Sequence, residues 1–268
     1  MSRILDFFKF YLSAGTLHSV HSPYIFDFCK NVLDDKRFYY AFGELEQLRK
    51  LLLKENKTIQ VKDFGAGSAA LPDKSRKVKD IAKNSATHPF FARLLFKIVN
   101  HYHPKTVLEL GTSLGLSTLY LAMPSQKCQV ISIEGCPETA KWSRLNFNRM
   151  KVGNVELKIG PFEKELPDVI QEIDQLDLVF IDGNHRKGPT LKYFKICLEK
   201  ANKGSIFIFD DIYWSSEMKE AWSEIKSHPS VTFSIDLFQF GIVFFNPDFK
   251  QKQHLKLVPL RWKPWRVW

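Results

Sequence analysis

From Thr106 onward the chain alternates short apolar runs with segments of helical pattern, and this alternation limits the fold more than any other feature. The runs are "TVLELG", "QVISIEG", "VELKIG", "LDLVFIDG" and "GSIFIFDD". Between them lie "STLYLAMP", "PETAKWSRLNFNRM" opened by Pro137, "FEKELPDVIQEI" and "TLKYFKICLEKA". One more helical segment, "EMKEAWSEIKSH", precedes "VTFSIDLFQFGIVFFN", which reads as two strands with a turn. Strands alternating with helices specify a parallel sheet covered on both faces. The two closing strands, with no helix between them, add an antiparallel hairpin at one edge. The expectation is therefore an α/β, doubly wound, seven-stranded, mostly parallel sheet. Ligands of such sheets sit beyond the carboxyl ends of the strands. The residues at those ends are Glu109, Gly111, Glu134, Gly160, Asp182, Asp210 and Asp211.

The chain has 268 residues, 44% of them hydrophobic, enough to bury one large domain with an extension. Residues 1–84 read as a mainly helical extension or lid, with leucines at helical spacing in "ELEQLRKLLLKE". Residues 85–250 form the ligand-binding domain, which includes the helical "HPFFARLLFKIVNHY", and 251–268 form a basic, aromatic tail. That tail is expected to be a strand followed by a segment pinned by Trp262, Trp265 and Trp268, with stacking on nucleic-acid bases as the alternative. Asp6 and Lys9 interrupt the apolar start, which favours an amphipathic helix over a secretory signal. No apolar run is long enough to span a bilayer. The four cysteines form no C-x-x-C pair, so a reducing cytoplasm is the expected location. The net charge of +10 is spread through the chain, which reads as a lysine-rich surface more readily than as a nucleic-acid face. The oligomeric state stays open, a homodimer included.

Two glycine stretches compete for the ligand. "VKDFGAGSAAL" carries Gly65 and Gly67, but no second apolar run ending in an acid follows. It reads as a turn, with a place in the wall of the acceptor pocket as the alternative. Gly111→Val is expected to abolish cofactor binding, and Gly67→Val to leave it near normal. In "VLELGTSLGLSTLYLA", Gly111 and Gly115 give E-x-G-x-x-x-G, without the spacing of a dinucleotide fingerprint or the lysine of a P-loop. A wide loop that begins with an acid suits a ligand carrying an amine and a carboxylate. Glu134, ending the next run, is placed to accept hydrogen bonds from ribose hydroxyls. Loop, acid and alternation together indicate an adenosine ligand.

"LELGTSLGLSTLYLA…VISIEG" resembles the class I S-adenosylmethionine-dependent methyltransferases, and within them the catechol and caffeoyl-CoA O-methyltransferase group. The resemblance runs from Ser85 to Asn246 and implies a Rossmann-like sheet with S-adenosyl-L-methionine as cofactor. It assigns the methionine part to Glu109, Gly111, Thr112, Ser113, Gly115 and Ser117, and the ribose to Glu134. It places Gly160 and Phe162 at the adenine, with Pro161 where many relatives carry a polar residue. Ser85 would pass over the methionine end.

"FIDGNHRKG" and "FIFDDIYW" bring Asp182, Asp210 and Asp211 to neighbouring strand ends. Three converging carboxylates call for neutralisation, and Mg²⁺ with oxygen ligands is one way to achieve it. "DDIYW" resembles the D-N-x-x-W segment of metal-dependent O-methyltransferases, which makes these three aspartates candidate metal ligands. Asp211 replaces the usual asparagine. His185 stands where relatives place a lysine base, so His185 and Asp182 are the candidate catalytic residues. The leading expectation is O-methylation of a small hydroxylated acceptor. An RNA-directed methyltransferase is the alternative, opposed by "DGNH" where base methyltransferases carry N/D-P-P-Y/F. A non-catalytic binding protein that keeps the fold is a third reading.

Overall fold

The computed structural model describes residues 3–62, 74–249, 251–263 and 265. Gly65, Gly67 and Trp268 lie outside the described residues. The first part of the chain contains α1 (Arg3–Ser13), α2 (Pro23–Phe28) and α3 (Tyr40–Leu52). It is not wholly helical, because β1 (Thr58–Val61) and β2 (Lys74–Lys77) pair antiparallel as a small separate sheet. The sequence hid these strands because "TIQV" and "KSRK" are short and carry little apolar content, so periodicity has nothing to register. Next come α4 (Val78–Asn84) and α5 (Pro89–Tyr102). His88 caps α5 by accepting a hydrogen bond from the Phe90 amide, Pro89 opens it, and His103 ends it in a left-handed conformation.

The predicted alternation then forms in order: β3 (Thr106–Leu110), α6 (Leu116–Ala122), β4 (Gln129–Glu134), α7 (Pro137–Arg149), β5 (Val155–Ile159) and α8 (Phe162–Glu172). It continues through β6 (Leu176–Ile181), α9 (Lys187–Leu198), β7 (Ala201–Phe209), α10 (Ser216–Ser227), β8 (Phe233–Asp236) and β9 (Gly241–Phe244). The sheet order is β10-β8-β9-β7-β6-β3-β4-β5, where β10 is Gln253–Lys256. Only β9 runs against the others. Among the described residues the sheet thus has eight strands, not seven. The tail supplies the eighth, parallel to β8, and the β8–β9 hairpin lies one strand in from the edge.

Both sheet faces are buried, so the strands are apolar on both sides. Leu108 and Leu110 pack toward α8, α9 and α10 with Leu166, Phe194 and Trp222. Val107, on the other face, packs with Leu95, Ile98 and Val99 of α5. The tail is anchored only in part. Trp262 packs against Phe90, and its carbonyl accepts a hydrogen bond from Tyr11 at 2.6 Å, but Trp265 is 67% exposed. α1 rests beside the tail, where Phe10 and Val258 share a small core with Ala14. After β5 the chain returns to place β6 beside β3, so the strand order reverses between those two strands. A crevice opens at such a reversal, beyond the carboxyl ends.

Candidate functional site

A cleft of about 670 Å³ occupies that crevice. Its floor begins at Gly111, directly after β3. Gly111 has φ +108°, and a Cβ there would stand 2.0 Å from the Asp182 carbonyl oxygen. Only glycine lets the loops after β3 and β6 approach this closely. Ser113, with φ +49°, turns its amide toward β4 and donates to Glu134 Oε2 at 2.6 Å. Glu134 Oε1 accepts from the Cys136 amide at 2.8 Å. One carboxylate therefore fixes the loops after β3 and β4 together. Burial raises the Glu134 pKa, and its hydrogen bonds from the Cys136 and Ser113 amides and the Thr139 hydroxyl oppose that rise.

Glu109, Thr112, Gly115 and Ser117 are not among the cleft-lining residues. Glu109 is fully buried, and its Oε2 accepts from Thr118 Oγ1 at 2.5 Å and Ser132 Oγ at 2.6 Å. Its Oε1 has no hydrogen-bond partner, and burial raises its pKa. Thr112 Oγ1 lies 2.5 Å from Ser132 Oγ. Gly115 caps α6 with φ +81°, and a Cβ there would meet the Phe147 ring at 2.6 Å. These residues shape the loop from beneath. Hydrogen bonds to a charged group contribute about 1.5–3 kcal/mol each, so the bonds to Glu109 help keep the loop in place whenever that acid is ionised.

Of the residues expected at the adenine, Phe162 lines the cleft with its neighbour Pro161, while Gly160 lies just behind them. Phe162 also limits residue 183, where a Cβ would lie 2.6 Å from its ring. Ser85 lines the cleft together with Thr87 and His88.

At the opposite end stand the three aspartates and His185, and the structure does bring these together. Asp182 is pushed well above the ordinary carboxyl range by burial and by the neighbouring charges of Asp210 and Asp211. Asp210 is raised to about 7, first by burial and then by Asp211. Asp182 and Asp210 hydrogen-bond to each other and titrate as a pair, both raised by burial and by the neighbouring acids. Burial lowers the His185 pKa and Asp211 partly offsets this, so the ring is neutral at neutral pH. His185 Nε2 lies 3.7 Å from Asp182 Oδ1, too far for a direct hydrogen bond.

Asp210 and Asp211 do not cap α10, since Ser215 does that by accepting from the Met218 amide. They face two groups that the sequence reading missed. Gln239 Nε2 donates to Asp210 Oδ1 at 2.6 Å and to Asp211 Oδ1 at 2.8 Å. Arg3 Nη2 donates to Asp211 Oδ1 and to Gln239 Oε1, both at 3.0 Å. Mg²⁺ needs oxygen ligands in near-octahedral array. Here donor N–H groups of Gln239 and Arg3 already bond to Oδ1 of Asp210 and of Asp211, and among the described residues no group of three His, Cys, Asp or Glu side chains is arranged to hold a metal ion. The expected metal set of Asp182, Asp210 and Asp211 therefore does not fit a divalent ion in this arrangement.

Also missed were Trp214 and the β1–β2 residues Val61, Lys62 and Arg76, all of which line the cleft. The Lys62 amide contacts Cys136 Sγ at 3.4 Å, which sets the small sheet against the loop that follows Glu134. No spacing in the sequence links residues 3, 62, 76 and 239. The exposed aromatic of "DDIYW" was the one available signal.

Residues 108–212 match the family model of a methyltransferase domain. The catechol O-methyltransferase of Niastella koreensis is 30% identical over 111 residues, which cover 40% of this chain and 49% of that protein. Matched segments span only 49% to 58% of the length of the curated relatives. An O-methyltransferase from Bacillus cereus, solved in complex with S-adenosylhomocysteine, superposes with a TM-score of 0.55 at 19% identity, covering 78% of this chain and 92% of that one. An S-adenosylhomocysteine-bound methyltransferase from Podospora anserina gives 0.58 at 15% identity, covering 85% and 97%. Over residues 108–212 the chain is similar to a methyltransferase domain, and its sheet shares the Rossmann-like fold of solved methyltransferases, in keeping with the resemblance to the class I S-adenosylmethionine-dependent methyltransferases, the O-methyltransferases among them.

Proposed function

We propose that the protein is an S-adenosylmethionine-dependent O-methyltransferase acting on a small hydroxylated acceptor. One observation carries this reading. A single cleft joins the Gly111–Ser113 turn and Glu134 at one end to Asp182 and His185 at the other. The first end suits the cofactor. The Gly111 turn and Ser113 would receive its methionine part, Glu134 its ribose, and Phe162 would flank the adenine. The cofactor supplies a sulfonium methyl group that is already activated for in-line attack. What remains for the protein is to hold the acceptor oxygen close and to remove its proton.

His185 is the candidate base. It sits at the cleft in the neutral form, able to take the acceptor hydroxyl proton as the new oxygen–carbon bond forms and the sulfur–carbon bond breaks. Asp182 would hydrogen-bond the acceptor and keep it facing the methyl group. The transfer needs no metal in this arrangement, since Gln239 donates to Oδ1 of Asp210 and of Asp211 and Arg3 donates to Oδ1 of Asp211. Within the segment 1–84, the β1–β2 sheet would act as a cover on the cofactor side while α1 flanks the acceptor end, and the small acceptor would enter past Trp214.

The test is calorimetric titration with S-adenosylhomocysteine, followed by methyl transfer from labelled S-adenosylmethionine to a panel of catechols and other small phenols. Micromolar binding and transfer to an oxygen are expected. Binding with no transfer to any hydroxylated acceptor would defeat the O-methyltransferase reading. For His185 the sign is set by its lowered pKa. Neutral ring persists as pH falls through ~6.5, so the rate should hold there and drop only at lower pH. His185→Gln should lower turnover by roughly a hundredfold or more while S-adenosylhomocysteine affinity stays within about threefold.

A further inference from the structure

We propose that α1 supplies the acceptor end of the cleft with a built-in cation, Arg3, where a divalent ion would otherwise neutralise the aspartates. The name of that end rests on the function proposed above, whereas the charge arrangement does not.

Asp211 is held in a left-handed backbone conformation, φ +53°, that directs it toward Arg3 and Gln239. Gln239 is oriented from both sides, its amide nitrogen toward the two carboxylates and its oxygen toward the guanidinium. Arg3 also lies over the Trp214 ring at 5.1 Å, so its planar group is stacked as well as paired. The guanidinium thus offsets part of the negative charge of the three carboxylates without an added ion.

α1 is firmly seated, which separates this arrangement from a chance contact of a loose end. Asp6, one turn on, pairs with Lys219 of α10 at 2.9 Å. Phe7 and Phe10 pack on Phe238, beside Gln239 in the turn between β8 and β9. The helix and the turn that together hold Asp211 are therefore packed against each other. A guanidinium differs from a metal in what it can do here. It offers only N–H donors, so it can hold acceptor oxygens by hydrogen bonds but does not coordinate them as a Lewis acid would.

Mn²⁺ alone, titrated calorimetrically in the absence of acceptor, tests this. The wild-type protein should show no cleft binding in the micromolar range. Arg3→Ala should bind Mn²⁺ tighter than wild type by on the order of tenfold or more, because removing the guanidinium leaves Asp211 uncompensated. Arg3→Lys should behave as wild type, and adding Asp211→Asn to Arg3→Ala should erase the gain. S-adenosylhomocysteine binding at the far end reports that each variant is folded, and Arg3→Gln serves if the alanine variant is not. Equal Mn²⁺ affinity in wild type and both uncharged variants would overturn the proposal, as would micromolar Mn²⁺ binding by wild type. Absence of S-adenosylhomocysteine binding in wild type would instead count against the methyltransferase function and leave the Mn²⁺ comparison readable.

Discussion

The two ends of the cleft are built by different means. The Gly111 end is made by backbone: a glycine with no room for a Cβ, a serine amide, and one carboxylate bridging two adjacent loops. All of it lies between residues 109 and 136, on neighbouring strands. The aspartate end is made by side chains from four distant segments, around residues 3, 182–185, 210–214 and 239. A site made from local backbone tolerates little substitution. One made from converging side chains retunes its charge by single changes.

The largest expected effect breaks the first end. Gly111→Val must push aside the Asp182 carbonyl, and S-adenosylhomocysteine affinity should fall by roughly a hundredfold or more by calorimetry. Glu134→Gln keeps the shape but weakens charge-assisted bonds from Ser113 and Cys136, so a roughly tenfold loss is expected in the same titration.

The next effect belongs to the second end and is read in stability. The folded pKa values of Asp182 and Asp210 lie above that of an ordinary carboxyl. Their stabilising contribution is therefore full below the unfolded value near ~3.9 and is lost as pH rises through about 7, the raised value of Asp210. Thermal unfolding between pH 5 and pH 8 should show a melting temperature that declines by a few degrees, and Asp210→Asn should flatten that decline. A flat wild-type profile would mean that Asp210 is ionised throughout. The smallest effect is Trp214→Ala. Its ring is 55% exposed, so stability should change by no more than ~0.5 kcal/mol, and cofactor affinity should not change.

The same contrast explains what could be read from the sequence. The strands from Thr106 to Phe244 are legible because burial on both faces leaves continuous apolar runs, and Gly111 and Glu134 fall at fixed places on that pattern. The β1–β2 sheet escapes notice because its strands are four residues each and one of them is "KSRK". A strand was expected in the tail, but β10, "QHLK", is an exposed edge strand with no apolar run to place it in the sheet, so seven strands were expected in the sheet where eight are described. Asp182, Asp210 and Asp211 were legible as a cluster, but their partners were not. Arg3 and Gln239 reach the site only through the packing of α1 on the β8–β9 turn, and no short-range signal encodes that. A metal was the natural inference from three acids whose cation lies elsewhere in the chain.

The joining of α1 to the tail also sets an order of events. The Gly15 amide donates to the Lys256 carbonyl, the Val258 amide donates to the Gly15 carbonyl, and Lys263 Nζ donates to the Ala14 carbonyl. During synthesis α1 emerges long before β10. Its docking partners leave the ribosome only after the rest of the sheet has been made. Arg3 thus reaches Asp211 on a helix whose docking contacts come from a segment far later in the chain, so the cation facing the aspartates depends on the strand and tail that follow them.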